Sequence, residues 1–130
     1  MNSAFEGSAE TELHGAAWSG DIGKAKELIS SGADVNVLDS INEAPLHGAS
    51  AWAQNEMVKF LLSHGADPNI FSADGLTALH WACSHAQPET VDILVTGGAK
   101  IVPNKSGKTP LEIAKNHNNQ KVIAWLNTHT

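Results

Sequence analysis

His80, Cys83 and His85 fall in the pattern His-x-x-Cys-x-His. Imidazole and thiolate are good zinc ligands, and on a helix positions 80 and 83 lie one turn apart on the same face. The same trio carries the parts of a thiol nucleophile with a histidine base. Neither set is complete. No fourth metal ligand stands nearby at the usual spacing, and Cys83 is the only cysteine in the chain. A second constellation, His14, His47 and His80, recurs every 33 residues and invites a metal or acid–base reading. No Gly-rich phosphate loop is present, and the carboxylates are scattered over turns and polar positions. Catalytic chemistry and a bound cofactor are therefore not expected, and a His/Cys metal site is the weaker alternative.

The histidines gain their meaning from what surrounds them. TELHGAA starts at Thr11, APLHGAS at Ala44, TALHWAC at Thr77 and TPLEIAK at Thr109, the last arriving one residue early. Gly32, Gly65 and Gly98 each follow 18 residues after a histidine. Self-similarity at this period predicts a stacked array of small units. First helices are expected near 12–18, 45–52, 78–85 and 110–117, with Pro45 and Pro110 at the first helical position. Second helices are expected near 22–31, 55–64, 88–96 and 119–127, with Pro88 opening the third. Met57, Val58, Leu61 and Leu62 share one helical face, as do Val91, Leu94 and Val95 one unit later. Such short helices depend on stacking for their stability.

These motifs, with GADVN at 32–36 and GADPN at 65–69, resemble the ankyrin repeat over roughly residues 11–127. The resemblance implies an all-α solenoid of helix-turn-helix units joined by β-hairpin loops. Four repeats are expected at about 11–38, 39–71, 72–103 and 104–127, between a frayed extension over 1–10 and a tail at 128–130. It also implies that each histidine caps its own repeat, and that Cys83, standing for a small alanine, is packed. Departures from the pattern are Glu12, Asn42, Ala44, Lys100, Val102 and Glu112, and the GGAKIVP run leaves the last hairpin open. Asn36 and Asn69 resemble the hairpin asparagines that an oxygen-dependent hydroxylase modifies in many ankyrin proteins. A role as substrate of such an enzyme is thus an alternative reading.

The formal net charge is −6, and all eight basic residues are lysines. Nucleic-acid binding relies on basic stripes and on Arg, and a polybasic membrane patch is likewise missing. A lone cysteine suits a reducing compartment, and the first ten residues lack the charge and apolar core of a secretory signal. The expected location is cytoplasmic, with the nucleus left open, and the expected state is a monomer.

Against the repeat, certain residues stand out. Trp18 and Trp52 fall at the ends of first helices, and Leu38, Ile41, Phe71 and Leu76 in the connecting loops. In ankyrin proteins these places contact partners, and stability alone would favour polar residues there. An apolar patch is expected, rimmed by Glu43, Asp74 and His85, for a protein or peptide partner that carries Lys or Arg. Trp81, at the position of Gly15 and Gly48, and Trp125, among Val122, Ile123 and Leu126, are read as packing residues.

Overall fold

The computed structural model describes residues 9–129, so the expected frayed residues 1–8 and Thr130 lie outside the described part. Among the described residues eight helices follow in chain order: α1 (Ala9–Ser19), α2 (Ile22–Ser30), α3 (Pro45–Ala51), α4 (Asn55–Ser63), α5 (Ala78–His85), α6 (Pro88–Thr96), α7 (Pro110–Asn116) and α8 (Gln120–His129). The first helix thus begins earlier than expected, taking in Ala9 and Glu10. The last runs on to His129, whose ring stacks on Trp125 with centroids 4.1 Å apart.

Odd-numbered helices pack in one row, α1 on α3, α3 on α5 and α5 on α7. Even-numbered helices form the second row, and each pair closes on itself. The repeat pattern explains the core. Leu13, Leu46 and Leu79 occupy equivalent places on α1, α3 and α5, and Leu28, Leu61, Leu94 and Leu126 do so on the other row; all are buried. Burying a leucine side chain contributes roughly 1.5–3 kcal/mol, which is what holds helices of seven to eleven residues. Gly32, Gly65 and Gly98 end the second helices at φ +104°, +94° and +105°, a region where a Cβ would be strained.

The loops differ from expectation. No strand forms among the described residues. Each loop is closed across its base by a backbone bond, Asp39 N to Glu43 O (2.9 Å), Ser72 N to Leu76 O (2.9 Å) and Asn104 N to Lys108 O (2.8 Å), with a tighter turn bond inside it. The return bond that would start a ladder is taken by a side chain. Glu43 N donates to Asp39 Oδ1, Leu76 N to Ser72 Oγ and Lys108 N to Asn104 Oδ1. The last loop therefore closes like the others. Asn42, at φ +60°, holds the left-handed place that Gly75 and Gly107 hold in the later loops. Neighbouring loops are tied by Ala73 N to Ile41 O (2.8 Å) and Lys105 N to Gly75 O (3.2 Å).

Candidate functional site

His47 and His80 are two-ended braces, and His14 makes the same outward bond. His80 Nδ1 accepts from Thr77 N at 2.9 Å, so the proton lies on Nε2, which donates to Val102 O at 2.8 Å. His47 accepts from Ala44 N (2.9 Å) and reaches Ile70 O and Leu76 O, both at 3.1 Å. His14 Nε2 meets Glu43 O at 2.8 Å. Each ring thus ties the start of its own first helix, or its row, to the loop that enters the next. Glu112 in the final unit keeps the near half of this arrangement, accepting from Thr109 N at 2.9 Å. That bond and the Thr109 hydroxyl hold the Glu112 carboxyl below its usual range.

The His-x-x-Cys-x-His trio does not converge. His80 is committed to Val102, Cys83 is buried in the core, and His85 is exposed at the end of α5. Burial pushes the Cys83 thiol up to about 12, far from a thiolate at neutral pH. Among the described residues no group of three His, Cys, Asp or Glu side chains could hold a metal ion.

Asn36 and Asn69 also link repeats. The Asn36 amide donates to Gly65 O (3.1 Å) and accepts from Asp67 N (2.8 Å); Asn69 does the same with Gly98 O (3.1 Å) and Lys100 N (2.9 Å). Both amide ends are therefore occupied by the following unit.

A cavity of about 450 Å³ opens on the first-helix row, lined by Trp18, Glu43, His47, Gly48, Ala51, Trp52, Trp81 and His85. Trp18 comes from the end of α1, where Gln54 Nε2 holds its carbonyl at 2.9 Å. Trp52 caps α3 and is 68% exposed; Trp18 is 50% exposed. Trp81 enters from α5, its ring tilted against His85 with centroids 5.7 Å apart.

Glu43 corrects the expectation of a polar rim. It is only 8% exposed, and its Oε2 accepts Trp81 Nε1 at 3.0 Å. Its backbone is fixed on two sides, by His14 and by Asp39, which aims the side chain inward. Trp81 was expected only to pack; it forms one wall and anchors the carboxylate. The available signal was its register, since Trp81 stands at the position of Gly15 and Gly48.

Of the expected contact residues, the cavity gathers Trp18, Glu43, Trp52 and His85. Leu76 is half-buried and lines a neighbouring hollow with His80, Trp81 and His85. Leu38, Ile41, Phe71 and Asp74 are exposed on the loops and line neither hollow, and Lys105 Nζ lies 5.8 Å from the Phe71 ring centroid. The expected single patch is thus divided between a walled cavity and a row of loop tips.

No helix among the described residues is long and apolar enough to cross a membrane. No curated protein matches the chain. The family model described as ankyrin repeats (3 copies) matches residues 13–104 and again 72–129. Its repeats are the helix pairs described above, units that serve in general as protein-interaction modules. The chain belongs to the ankyrin repeat family.

Proposed function

We propose that the chain is a binding module that captures a basic segment of a protein or peptide on the face formed by the first helices and loops. It would act by occlusion or scaffolding, as an inhibitor, adaptor or assembly chaperone. The observation that carries this reading is the Glu43 carboxylate, buried in the wall of a cavity that three indoles also line, with no ion pair to any described residue. A carboxylate in such a place attracts a cation more strongly than one in water, because screening by solvent is reduced. The net charge of −6 adds long-range attraction for a basic partner.

Trp18 and Trp52 supply the apolar contact. Aromatic side chains bury roughly 150–250 Å² each and dominate many interfaces. The stack is rigid, braced by histidines and asparagines between units, so little order remains to be gained on docking.

A peptide array that varies charge at fixed length tests this reading. Lys- and Arg-bearing peptides should be retained over acidic and neutral ones. Trp52→Ala should weaken binding by at least about 2 kcal/mol while helix content is unchanged. Indifference to peptide charge, or full affinity in the variant, would overturn it.

A further inference from the structure

We propose that the tryptophan-walled cavity receives a trimethylammonium head, carried by a fully methylated lysine, in preference to a bare ammonium or a guanidinium. The proposal rests on the reading that the partner is a basic peptide and specifies what enters the cavity.

The argument turns on hydrogen-bond supply. A lysine ammonium brings three N–H donors and a guanidinium five, and each donor taken out of water needs an acceptor. The cavity's side chains offer few. Glu43 Oε2 is engaged by Trp81 Nε1, which leaves Oε1 as the one carboxylate oxygen open to a guest, too few acceptors for three or five donors. His47 has its Nδ1 occupied by Ala44 N and its Nε2 turned to the Ile70 and Leu76 carbonyls. His85 Nδ1 is shared with Ser84 Oγ at 2.6 Å. The remaining lining is three indoles, Gly48 and Ala51.

A quaternary ammonium has no N–H to satisfy. It asks for aromatic surface and a nearby negative charge, and Trp is the strongest of the aromatic partners for a cation. Trp18, Trp52 and Trp81 supply the surface, and the Glu43 carboxylate supplies the charge. The volume of about 450 Å³ lies within the usual range for small-ligand sites and leaves room for the lysine stem beside the head.

The chain departs from its own repeat at the residues that build this cavity. Glu43 stands where the later units carry Leu76 and Lys108, and Trp81 stands where the earlier ones carry Gly15 and Gly48. Packing alone accounts for neither. A buried carboxylate over an indole N–H is a costly way to fill space unless a cation completes it.

The experiment titrates the full chain with the peptide acetyl-Gly-Gly-Lys-Gly-Gly-amide in three forms: free lysine, trimethyllysine, and the neutral isostere with carbon in place of the quaternary nitrogen. Choline chloride forms a separate arm. Three of the four tryptophans line the cavity, so intrinsic fluorescence and the indole N–H resonances report directly on it. The trimethylated peptide should bind at least about tenfold tighter than either other form. Glu43→Gln, which keeps an acceptor for Trp81, and Trp52→Ala, at an exposed site, should each erase that preference.

Equal binding of the free and trimethylated lysine overturns the inference and leaves the basic-peptide reading in place. Equal binding of the neutral isostere overturns it by removing charge from the recognition. Choline occupying the cavity while the trimethylated peptide does not overturns lysine as the source. Failure of all three peptides here, with no charge preference on the array, overturns both readings.

Discussion

The indole of Trp18 lies where a side chain at Gly48 would be. A Cβ built on Gly48 would sit 1.7 Å from Trp18 Cδ1 and 1.8 Å from its Nε1. The glycine is therefore a seat for one wall of the cavity, cut into the middle of α3.

Gly48→Ala follows from that contact. Alanine is favoured over glycine in a helix interior by roughly 1 kcal/mol, so α3 itself gains. The methyl group, however, evicts an indole that is half exposed and free to swing toward solvent. The expected outcome is a fold within about 1 kcal/mol of the parent, with a red-shifted tryptophan emission and loss of peptide binding. Circular dichroism, fluorescence and denaturant titration on one sample check all three. Retained binding would show that Trp18 is not part of the recognition surface.

How much of this was readable beforehand depends on the distance over which each feature is encoded. The helices were legible because leucines such as Leu13, Leu46 and Leu79 repeat in phase, and the left-handed glycines mark the ends of the second helices. The cavity was legible only in part. Trp18, Trp52 and His85 declared themselves by standing at helix ends. Glu43 and Trp81 lie 38 residues apart and meet only through the stacking of adjacent units. Their polarity suggested a rim and a packing role, because a linear pattern shows the face of a helix but not what the neighbouring unit lays against it. The loops close without a strand ladder for a local reason. Asp39, Ser72 and Asn104 divert the donors that strand pairing would have used.

Ala44→Thr should stabilise the chain. Thr77 and Thr109 cap their helices by accepting from His80 N (3.5 Å) and Glu112 N (3.1 Å), whereas Ala44 at the equivalent place has no side-chain acceptor. The surroundings suit threonine, since Thr77 is buried to a similar degree in the next unit. Restoring the cap should add about 0.5–2 kcal/mol. Urea titration measures it, and an unchanged midpoint would mean that the extra methyl group costs as much as the cap returns.

Ser50 stands at the position of Ala17 and Cys83 and is fully buried, and its hydroxyl finds no partner among the described residues. An unsatisfied hydroxyl in an apolar setting costs about 1–3 kcal/mol, and alanine is the better helix former. Ser50→Ala should therefore raise the unfolding free energy by about 1 kcal/mol without touching the cavity. Thermal melts of the two proteins decide this; a loss of stability would mean that the hydroxyl is hydrogen-bonded in solution.

His80 makes stability depend on pH in a definite direction. Burial disfavours its imidazolium, the bond to Val102 O opposes this in part, and His47 adds a smaller downward push, so the native ring titrates below 6.5. Above that pH the ring is neutral in both native and unfolded chains, and its contribution to stability is whole. As pH falls through 6.5 the unfolded chain takes up a proton that the native ring refuses. Stability then declines by up to about 1.4 kcal/mol per pH unit until the native ring also protonates. His80→Gln removes this term while the other histidines stay. The variant should be less stable at pH 7.5, since the brace to Val102 is broken, but its loss between pH 7.5 and 5.5 should be smaller than the parent's. Denaturant titrations of both proteins at the two pH values supply the comparison, and an equal loss in each would show that the ring is not held neutral by its burial.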